Sequence, residues 1–458
     1  MPYIGIDLSQ TSKIAFEIII RNKINIAGEY NLKSKYLDAD INLANIDLTS
    51  FSKDLKFLKG KYIKKGDLRL TVGENYLLKG NLELENLTLF KDISFELDGE
   101  RKDPSSSKIT LKAKGDFLTA KTKAKYDQKI LKINSLLIEG NNTKISSSGT
   151  INTLASETQI NGSGYFDLAD LLTALKAFDV KTSKLTKNNT QGLCNIKFSA
   201  TGDISPKTWE VKLTGNSDKL KIYNINSRHV RVDLLKKDNV LTVSPLFANV
   251  AKGKIELRTI LNLITKNGSL NLITNDIDIA QVVKELKSKE QKYSGKLSLE
   301  AYLKNIDIDK WEKLDGQGKI WIKEGDIWEI DFLEGMGEFL FIPEFKAIQF
   351  SEGFSNLFFK KKDIIFDDIQ LTSEAMTLAG GGKISLDGKL DFMLFPQFNE
   401  DFVGSSDDFK KHITTFLGES GLVLEITGDV KDPKYNMKPV VFSPIKRIEG
   451  FFKNLFGE

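Results

Sequence analysis

The 458-residue chain is short of the residues that build disulfides and metal sites. It has one cysteine, Cys194, and two histidines, His229 and His412. A single thiol cannot form an internal disulfide, and two imidazoles nearly exclude a histidine-based metal site. We therefore expect neither a bound metal nor a cofactor.

Concentrated charge and long apolar runs are also missing. The chain has 66 Lys and Arg against 62 Asp and Glu, and the resulting +4 is spread along its length. This distribution argues against a nucleic-acid partner. A membrane-spanning helix needs about eighteen apolar residues, whereas the longest candidate here, residues 14–20, is interrupted by Glu17. The start of the chain also lacks the charged and apolar regions of an export signal. We expect either a cytoplasmic protein or the soluble part of a longer protein whose export signal lies upstream.

Motifs of known catalytic sites are lacking too. The sequence contains no Gly-Lys-Ser/Thr phosphate loop, no nucleophile elbow and no paired zinc ligands. A polysaccharide-acting enzyme on a long sheet would place carboxylates and stacked aromatics on one strand face. The four tryptophans are not so arranged: Trp209, Trp311, Trp321 and Trp328. We therefore predict that the chain is not an enzyme.

Alternation of apolar and polar residues dominates what is present. It is clearest from Leu314 to Phe398, where glycine or Asp-Gly is predicted to mark each place at which the chain reverses. Such alternation is typical of half-buried antiparallel strands joined by tight hairpins, and only nine prolines interrupt it. The predicted fold is mostly β, a long, twisted antiparallel sheet curled into an open groove with a few short helices.

Three short helices are predicted at regular intervals, near 47–58, 167–178 and 278–287. Each follows an aspartate, namely Asp47, Asp167 and Asp278, and each has apolar residues at helical spacing. The segments begin about 120 and 111 residues apart. A unit of strands and one short helix is therefore predicted to recur three times.

So few helices cannot cover the apolar face of about two dozen strands. A soluble protein seldom leaves a large apolar surface open to water, so the groove should hold an apolar ligand. Long acyl chains fit that role. The alternative is that sheet faces pack on each other as sequential sandwiches. The groove-lining candidates are Leu68, Leu70, Leu82, Leu84, Ile255, Leu257, Leu261, Leu270, Leu272, Leu297, Leu299, Leu303, Ile320, Ile322, Ile384, Leu386, Leu390 and Phe392.

The last third of the chain resembles the C-terminal region of AsmA-like proteins. The resemblance is carried by four features in order: an Asp-Gly-Gln-Gly-Lys-Ile entry from Asp315, a Glu-Gly-Asp-Ile-Trp strand from Glu324, a triple-glycine hairpin from Gly380, and Ile-Thr-Gly-Asp-Val-Lys-Asp-Pro from Ile426. It implies a repeating β-groove of the kind found in AsmA-, TamB- and YhdP-type proteins and in chorein-type bridge proteins. In that family the groove conducts phospholipids between the inner and outer membranes.

The resemblance also implies a location and partners. They would be phospholipids, both membranes, and an outer-membrane or periplasmic protein at the C-terminal end. The chain would lie in the periplasm, held to the inner membrane by an N-terminal segment that is absent from this sequence. The alternative function is that of a scaffold or assembly factor for outer-membrane biogenesis that acts through protein partners.

Three regions follow from this interpretation. They are β-groove repeats at 1–310, an AsmA-like β region at 311–440 and an amphipathic helix at 441–458. Within the second region, a short apolar helix-like segment is expected to end at Pro343, and a helix near 406–418 would plug the end of the groove. The last helix would either contact a membrane or partner or pack back on the sheet. Its contact residues are Ile445, Ile448, Phe452, Leu455 and Phe456.

Overall fold

The computed structural model describes most of the chain. The described residues are 2–10, 12–47, 61–85, 90–100, 103–177, 189–203, 208–286, 294–307, 313–325, 350–374, 376–399, 420–430 and 432–441. The first predicted helix, the helix-like segment that ends at Pro343, the helix near 406–418 and the C-terminal helix with its five contact residues lie outside them.

The described residues form 26 strands and two short helices. The strands are β1 (Tyr3–Gln10), β2 (Lys13–Ile20), β3 (Ile24–Asn31), β4 (Tyr36–Asp47), β5 (Tyr62–Val72), β6 (Asn75–Glu85), β7 (Asp92–Glu100), β8 (Asp103–Lys114), β9 (Leu118–Asp127), β10 (Ile130–Gly140), β11 (Lys144–Asn152), β12 (Glu157–Asp167), β13 (Gln191–Gly202), β14 (Glu210–Ile222), β15 (Ile225–Lys237), β16 (Val240–Val250), β17 (Gly253–Asn262), β18 (Asn267–Asp278), β19 (Lys296–Asp307), β20 (Leu314–Lys323), β21 (Glu352–Lys361), β22 (Asp363–Thr372), β23 (Met376–Ser385), β24 (Lys389–Phe398), β25 (Ser420–Asp429) and β26 (Asp432–Val441). The helices are α1 (Leu168–Ala177) and α2 (Ile279–Glu285).

The predicted fold class is confirmed, because all 26 strands belong to one antiparallel sheet that does not close. By their contacts, the residues divide into unit 1 (1–223 with 233–238) and unit 2 (224–232 with 239–458). In unit 1 each strand from β1 to β14 pairs with the next along the chain. In unit 2 the same holds from β16 to β26. A meander of this kind is not a series of two-sheet sandwiches, so that alternative is wrong.

Three turns along the chain share the same hydrogen-bond pattern. In each, an asparagine side chain accepts hydrogen bonds from the backbone N–H groups two and three residues later, which fixes the turn. The asparagines are Asn31, Asn152 and Asn262, with donor distances of 3.0 to 3.1 Å. The residue four positions after each has a positive φ: Lys35, Ser156 and Lys266. Each turn precedes one of the aspartates that open the predicted helices, so the structure adds a second repeating feature.

Two of the three predicted helix positions hold helices, and both begin on the predicted aspartate. Asp167 Oδ1 accepts from the N–H of Ala169 at 2.7 Å, and Asp278 Oδ1 accepts from the N–H of Gln281 at 2.9 Å. Each carboxylate thereby satisfies a donor that the first helical turn leaves free. Asp278 also pairs with Lys252 Nζ at 2.6 Å, and the hydrogen bond from Lys252 is the main cause that holds the pKa of Asp278 below its usual range.

Removing this cap should loosen α2 locally. We expect Asp278→Ala to cost about 1 kcal/mol, which corresponds to amide hydrogen exchange in α2 about fivefold faster. Asp278→Asn keeps an acceptor at the same place and should change the exchange rate far less. Equal acceleration in the two variants would show that the side-chain oxygen does not cap the helix.

The prediction that glycine marks each chain reversal is wrong at several positions. Gly380 and Gly382 lie inside β23, and Gly316 and Gly318 lie inside β20. They are mid-strand because a neighbouring backbone approaches each one closely. A Cβ on Gly380, for example, would lie 2.1 Å from the carbonyl oxygen of Met393 on β24. Gly388, with φ +91°, lies in a turn as predicted.

Candidate apolar binding face

An unbroken row of apolar residues crosses unit 1 from β1 to β14. Residues directly opposite each other in an antiparallel pair point to the same face, so the register traces the row from strand to strand. The row runs through Ile6, Phe16, Gly28, Ala39, Leu70, Leu78, Leu97, Ile109, Ala124, Ile133, Gly149, Ile160, Ala200 and Val211. Only 40% of the whole chain is hydrophobic, so a row of this length without one polar member reflects a continuous apolar face.

Along this row, the face of unit 1 is not covered by a second layer of the described residues. In the row only the alanines are fully buried: Ala39 is 3% exposed, Ala124 7% and Ala200 4%. The larger side chains, such as Leu70, Leu97 and Ile133, are half-buried. Off the row, some longer side chains of the same face are fully buried, with Ile63 4%, Leu84 7% and Ile196 8% exposed, so the accessible part of the face is the row itself.

A second apolar row crosses unit 2 from β16 to β26. It runs through Leu246, Leu257, Leu272, Ala301, Gly318, Leu357, Phe366, Gly382, Phe392, Ile426 and Tyr435. Burial is deeper here, since Leu357 is 4% exposed and belongs to a buried cluster with Leu303, Leu314 and Phe359. Half-buried members such as Leu257 and Leu272 keep the β16–β18 part of the face accessible.

The register places 17 of the 18 predicted groove residues on these two faces, four in unit 1 and thirteen in unit 2. The exception is Leu386. It follows the end of β23, its N–H donates to the carbonyl of Lys362 at 2.7 Å, and its side chain is 47% exposed. The apolar–polar alternation of the sequence continues to Leu386, whereas β23 ends one residue earlier, at Ser385.

The opposite face of unit 1 carries charged side chains in the adjacent row. Asp40, Arg69, Lys79 and Glu96 lie directly opposite one another along β4 to β7. Arg69 also donates two hydrogen bonds to Asp38, at 3.0 and 2.7 Å, and this contact is the main cause that lowers the pKa of Asp38. The same strands therefore have one polar, solvent-exposed face and one apolar face.

Unit 2 has aromatic side chains on its second face as well, which the sequence analysis missed. Trp321 and Phe354 lie opposite each other on β20 and β21, with ring centroids 5.9 Å apart. Phe358 shares that face, while Phe359 lies on the first. The signal was present in the sequence, because two adjacent phenylalanines in a strand must point to opposite faces.

Cys194 lies on the apolar face of unit 1. It lies on β13 opposite Phe166, and burial raises the pKa of its thiol to about 11, with Asp167 adding to the rise. The pKa of an unperturbed thiol is 9.0. Because the folded pKa of this acid is raised, the protonated thiol favours the folded state below pH 9, and that contribution is lost as the pH rises towards 11.

Alkylation of Cys194 should therefore be slow. At pH 8 we expect iodoacetamide to react about 100-fold more slowly with the folded chain than with the chain in denaturant, since the thiolate is the nucleophile. The rate in the folded chain should climb about tenfold per pH unit to near pH 11. Mass spectrometry of timed samples measures both rates, and a plateau near pH 9 would contradict the assigned burial.

The described residues do not form a metal site or a membrane-spanning helix. Among them, no three His, Cys, Asp or Glu side chains come together as metal ligands. Neither α1 nor α2 is long and apolar enough to cross a bilayer. No protein-family model matches the chain, and a search of curated proteins finds no significant match.

Proposed function

We propose that the chain is a non-enzymatic lipid carrier that binds the acyl chains of phospholipids along its apolar faces. The observation that supports this most is the unbroken apolar row of unit 1, in which only alanines are fully buried. A face of this kind needs an apolar occupant, because a contiguous apolar surface open to water is unfavourable by about 25 cal/mol per Å².

Acyl chains suit the face for physical reasons. The row mixes Leu, Ile, Phe, Ala and Gly without a fixed pattern, and a flexible chain adapts to such a surface better than a rigid ligand does. Each buried methylene contributes roughly 0.8 kcal/mol, so one long chain supplies enough free energy to bind without any polar anchor. Headgroups would stay in water along the open side of the face.

The resemblance to AsmA-like proteins supports a finer proposal. In this proposal the chain acts in the periplasm as a conduit that bridges the inner and outer membranes, and a protein partner receives its C-terminal end. The triple glycine of β23 and the Ile-Thr-Gly-Asp run of β25 both lie within the paired strands of unit 2.

Bound lipid is the direct test of the carrier. We expect an organic extract of the detergent-free, purified chain to contain phospholipid at a stoichiometry near or above one per chain, by mass spectrometry. A same-sized soluble β protein carried through the same purification is the control. An extract with no more phospholipid than that control contradicts the proposal.

A scaffold for envelope assembly is the second candidate, and the aromatic side chains on the second face of unit 2 favour it. Trp321, Phe354 and Phe358 add an apolar patch that a lipid-binding first face does not use. Under this reading the extract is free of lipid and cross-linking in cells captures a protein at Phe354. Phospholipid in the extract without a protein adduct at Phe354 contradicts it.

A further inference from the structure

Seven lysines form a compact patch on the polar face of β8, β9 and β10. Lys108, Lys125 and Lys132 lie directly opposite one another across the three strands, and Lys112 lies opposite Lys121. All are exposed. The lysine patch comprises Lys108, Lys112, Lys114, Lys121, Lys123, Lys125 and Lys132.

Most of these lysines lack an acidic partner. Lys121 pairs with Glu139 at 2.8 Å and Lys125 with Asp127 at 2.9 Å. Within the described part of the chain, the other five make no ion pair. On the neighbouring strand β7, Glu96 pairs with Lys79 at 3.6 Å. Asp92 and Asp98 lie directly opposite Lys114 and Lys108 but form no ion pair with them, so the excess positive charge lies on β8 to β10.

Such an arrangement is unfavourable for the sheet itself. Like charges directly opposite each other in an antiparallel pair destabilise it, and here three fall in one row. The sequence concentrates the charge locally: residues 104–156 contain nine lysines, no arginine and three acidic residues. The chain as a whole has only +4, so the remainder is slightly acidic.

The composition of the patch indicates what it binds. Protein interfaces are enriched in Trp, Tyr and Arg and depleted in Lys. Nucleic-acid readers use arginine and stacked aromatics, and neither occurs on this face of β8–β10. Lysine is a point charge that suits a dense, mobile layer of phosphates, and clusters of about four to eight basic residues are typical of contacts with anionic membranes.

We propose that the lysine patch docks unit 1 on the surface of an anionic phospholipid bilayer. The contact is mainly electrostatic, because Thr110, Thr119 and Ser135 separate the lysines, and the apolar members of this face are only Ile130 and Leu137. The face that docks is opposite to the apolar face. Docking therefore does not depend on lipid carriage, and either property can fail without the other.

Vesicle flotation tests the proposal. We expect the full chain to float with vesicles of roughly one-third phosphatidylglycerol in phosphatidylcholine at about 0.05 M salt, and to be released at about 0.5 M. It should not float with pure phosphatidylcholine. The triple variant Lys112→Gln, Lys123→Gln, Lys132→Gln should bind roughly 100-fold more weakly.

A matched variant removes the same charge elsewhere. Lys197→Gln, Lys254→Gln, Lys319→Gln neutralises three exposed lysines that make no ion pair in the described residues, on β13, β17 and β20. It should bind vesicles like the parent chain. Circular dichroism and melting establish that both variants fold, and phospholipid content is measured in parallel to keep docking and carriage apart.

Three results would overturn the proposal. The first is equal flotation with anionic and neutral vesicles, and the second is an equal loss of binding in the two triple variants. The third is tighter binding of the parent chain to duplex DNA than to the anionic vesicles, which would make the patch a nucleic-acid site. Loss of vesicle binding in the patch variant alone, with unchanged phospholipid content, supports it.

Discussion

Replacing Leu257 with aspartate is expected to lower the phospholipid content of the purified chain tenfold or more. Leu257 is a half-buried member of the unit 2 row, between Leu246 and Leu272. A carboxylate at this position would have to leave water wherever an acyl chain covers it, and an unpaired buried charge costs several kcal/mol. The occupant, rather than the fold, should therefore be lost.

The control for this substitution lies on the same strand. Ile260 is on the polar face of β17, opposite Thr242, and is 53% exposed. Ile260→Asp makes the same chemical change away from the row and should leave the phospholipid content unchanged. Melting curves show whether each variant folds. Equal lipid loss in the two folded variants would mean that the predicted face does not hold the lipid.

Replacing Gly380 with valine is expected to destabilise unit 2 by about 3 kcal/mol, within the upper range for overpacking. The added Cβ would lie 2.1 Å from the carbonyl oxygen of Met393 and 3.0 Å from Cα of Leu394. Both are backbone atoms of β24, so no side chain can rotate away and the two strands must separate. For a unit of this size we expect the melting midpoint to fall by about 10 °C.

Gly5→Val is the matched change. The three atoms nearest to a Cβ on Gly5 all belong to the Tyr3 side chain, at 3.0 to 3.4 Å, and β1 has no described partner other than β2. The exposed Tyr3 ring can move aside, so the melting midpoint should change by a few degrees at most. A similar shift in both variants would show that the close approach of β23 and β24 does not matter for stability.

Alternation made the fold predictable, because side chains in a strand point to opposite faces with a period of two. That rule assigned Leu68 and Leu82 to the apolar face of unit 1, and Leu299 to that of unit 2, without knowledge of any pairing. The pairing register then determines which faces of neighbouring strands align, since a shift of one residue would move every side chain of a strand to the other face. It is the continuity of the row, which sequence alone does not give, that indicates an extended face.

The errors have equally local causes. Leu386 was assigned by alternation although β23 had already ended. Gly380 was taken as a turn residue because glycine serves both turns and close backbone contacts, and only the neighbouring strand separates the two uses. The aromatic patch around Trp321 was missed because one apolar face had been assumed. The domain boundary predicted after residue 310 rests on where the resemblance to AsmA-like proteins begins rather than on contacts, and it stays a prediction.

Contact between the apolar face and lipid is the central claim, and photo-cross-linking measures it directly. A benzoyl-phenylalanine in place of Leu272, on the apolar row of β18, should form an adduct whose added mass is that of a phospholipid. The same residue in place of its neighbour Asn271, which points to the other face and is exposed, should form none. Protein adducts at position 272, or lipid adducts of equal yield at both positions, would contradict the account.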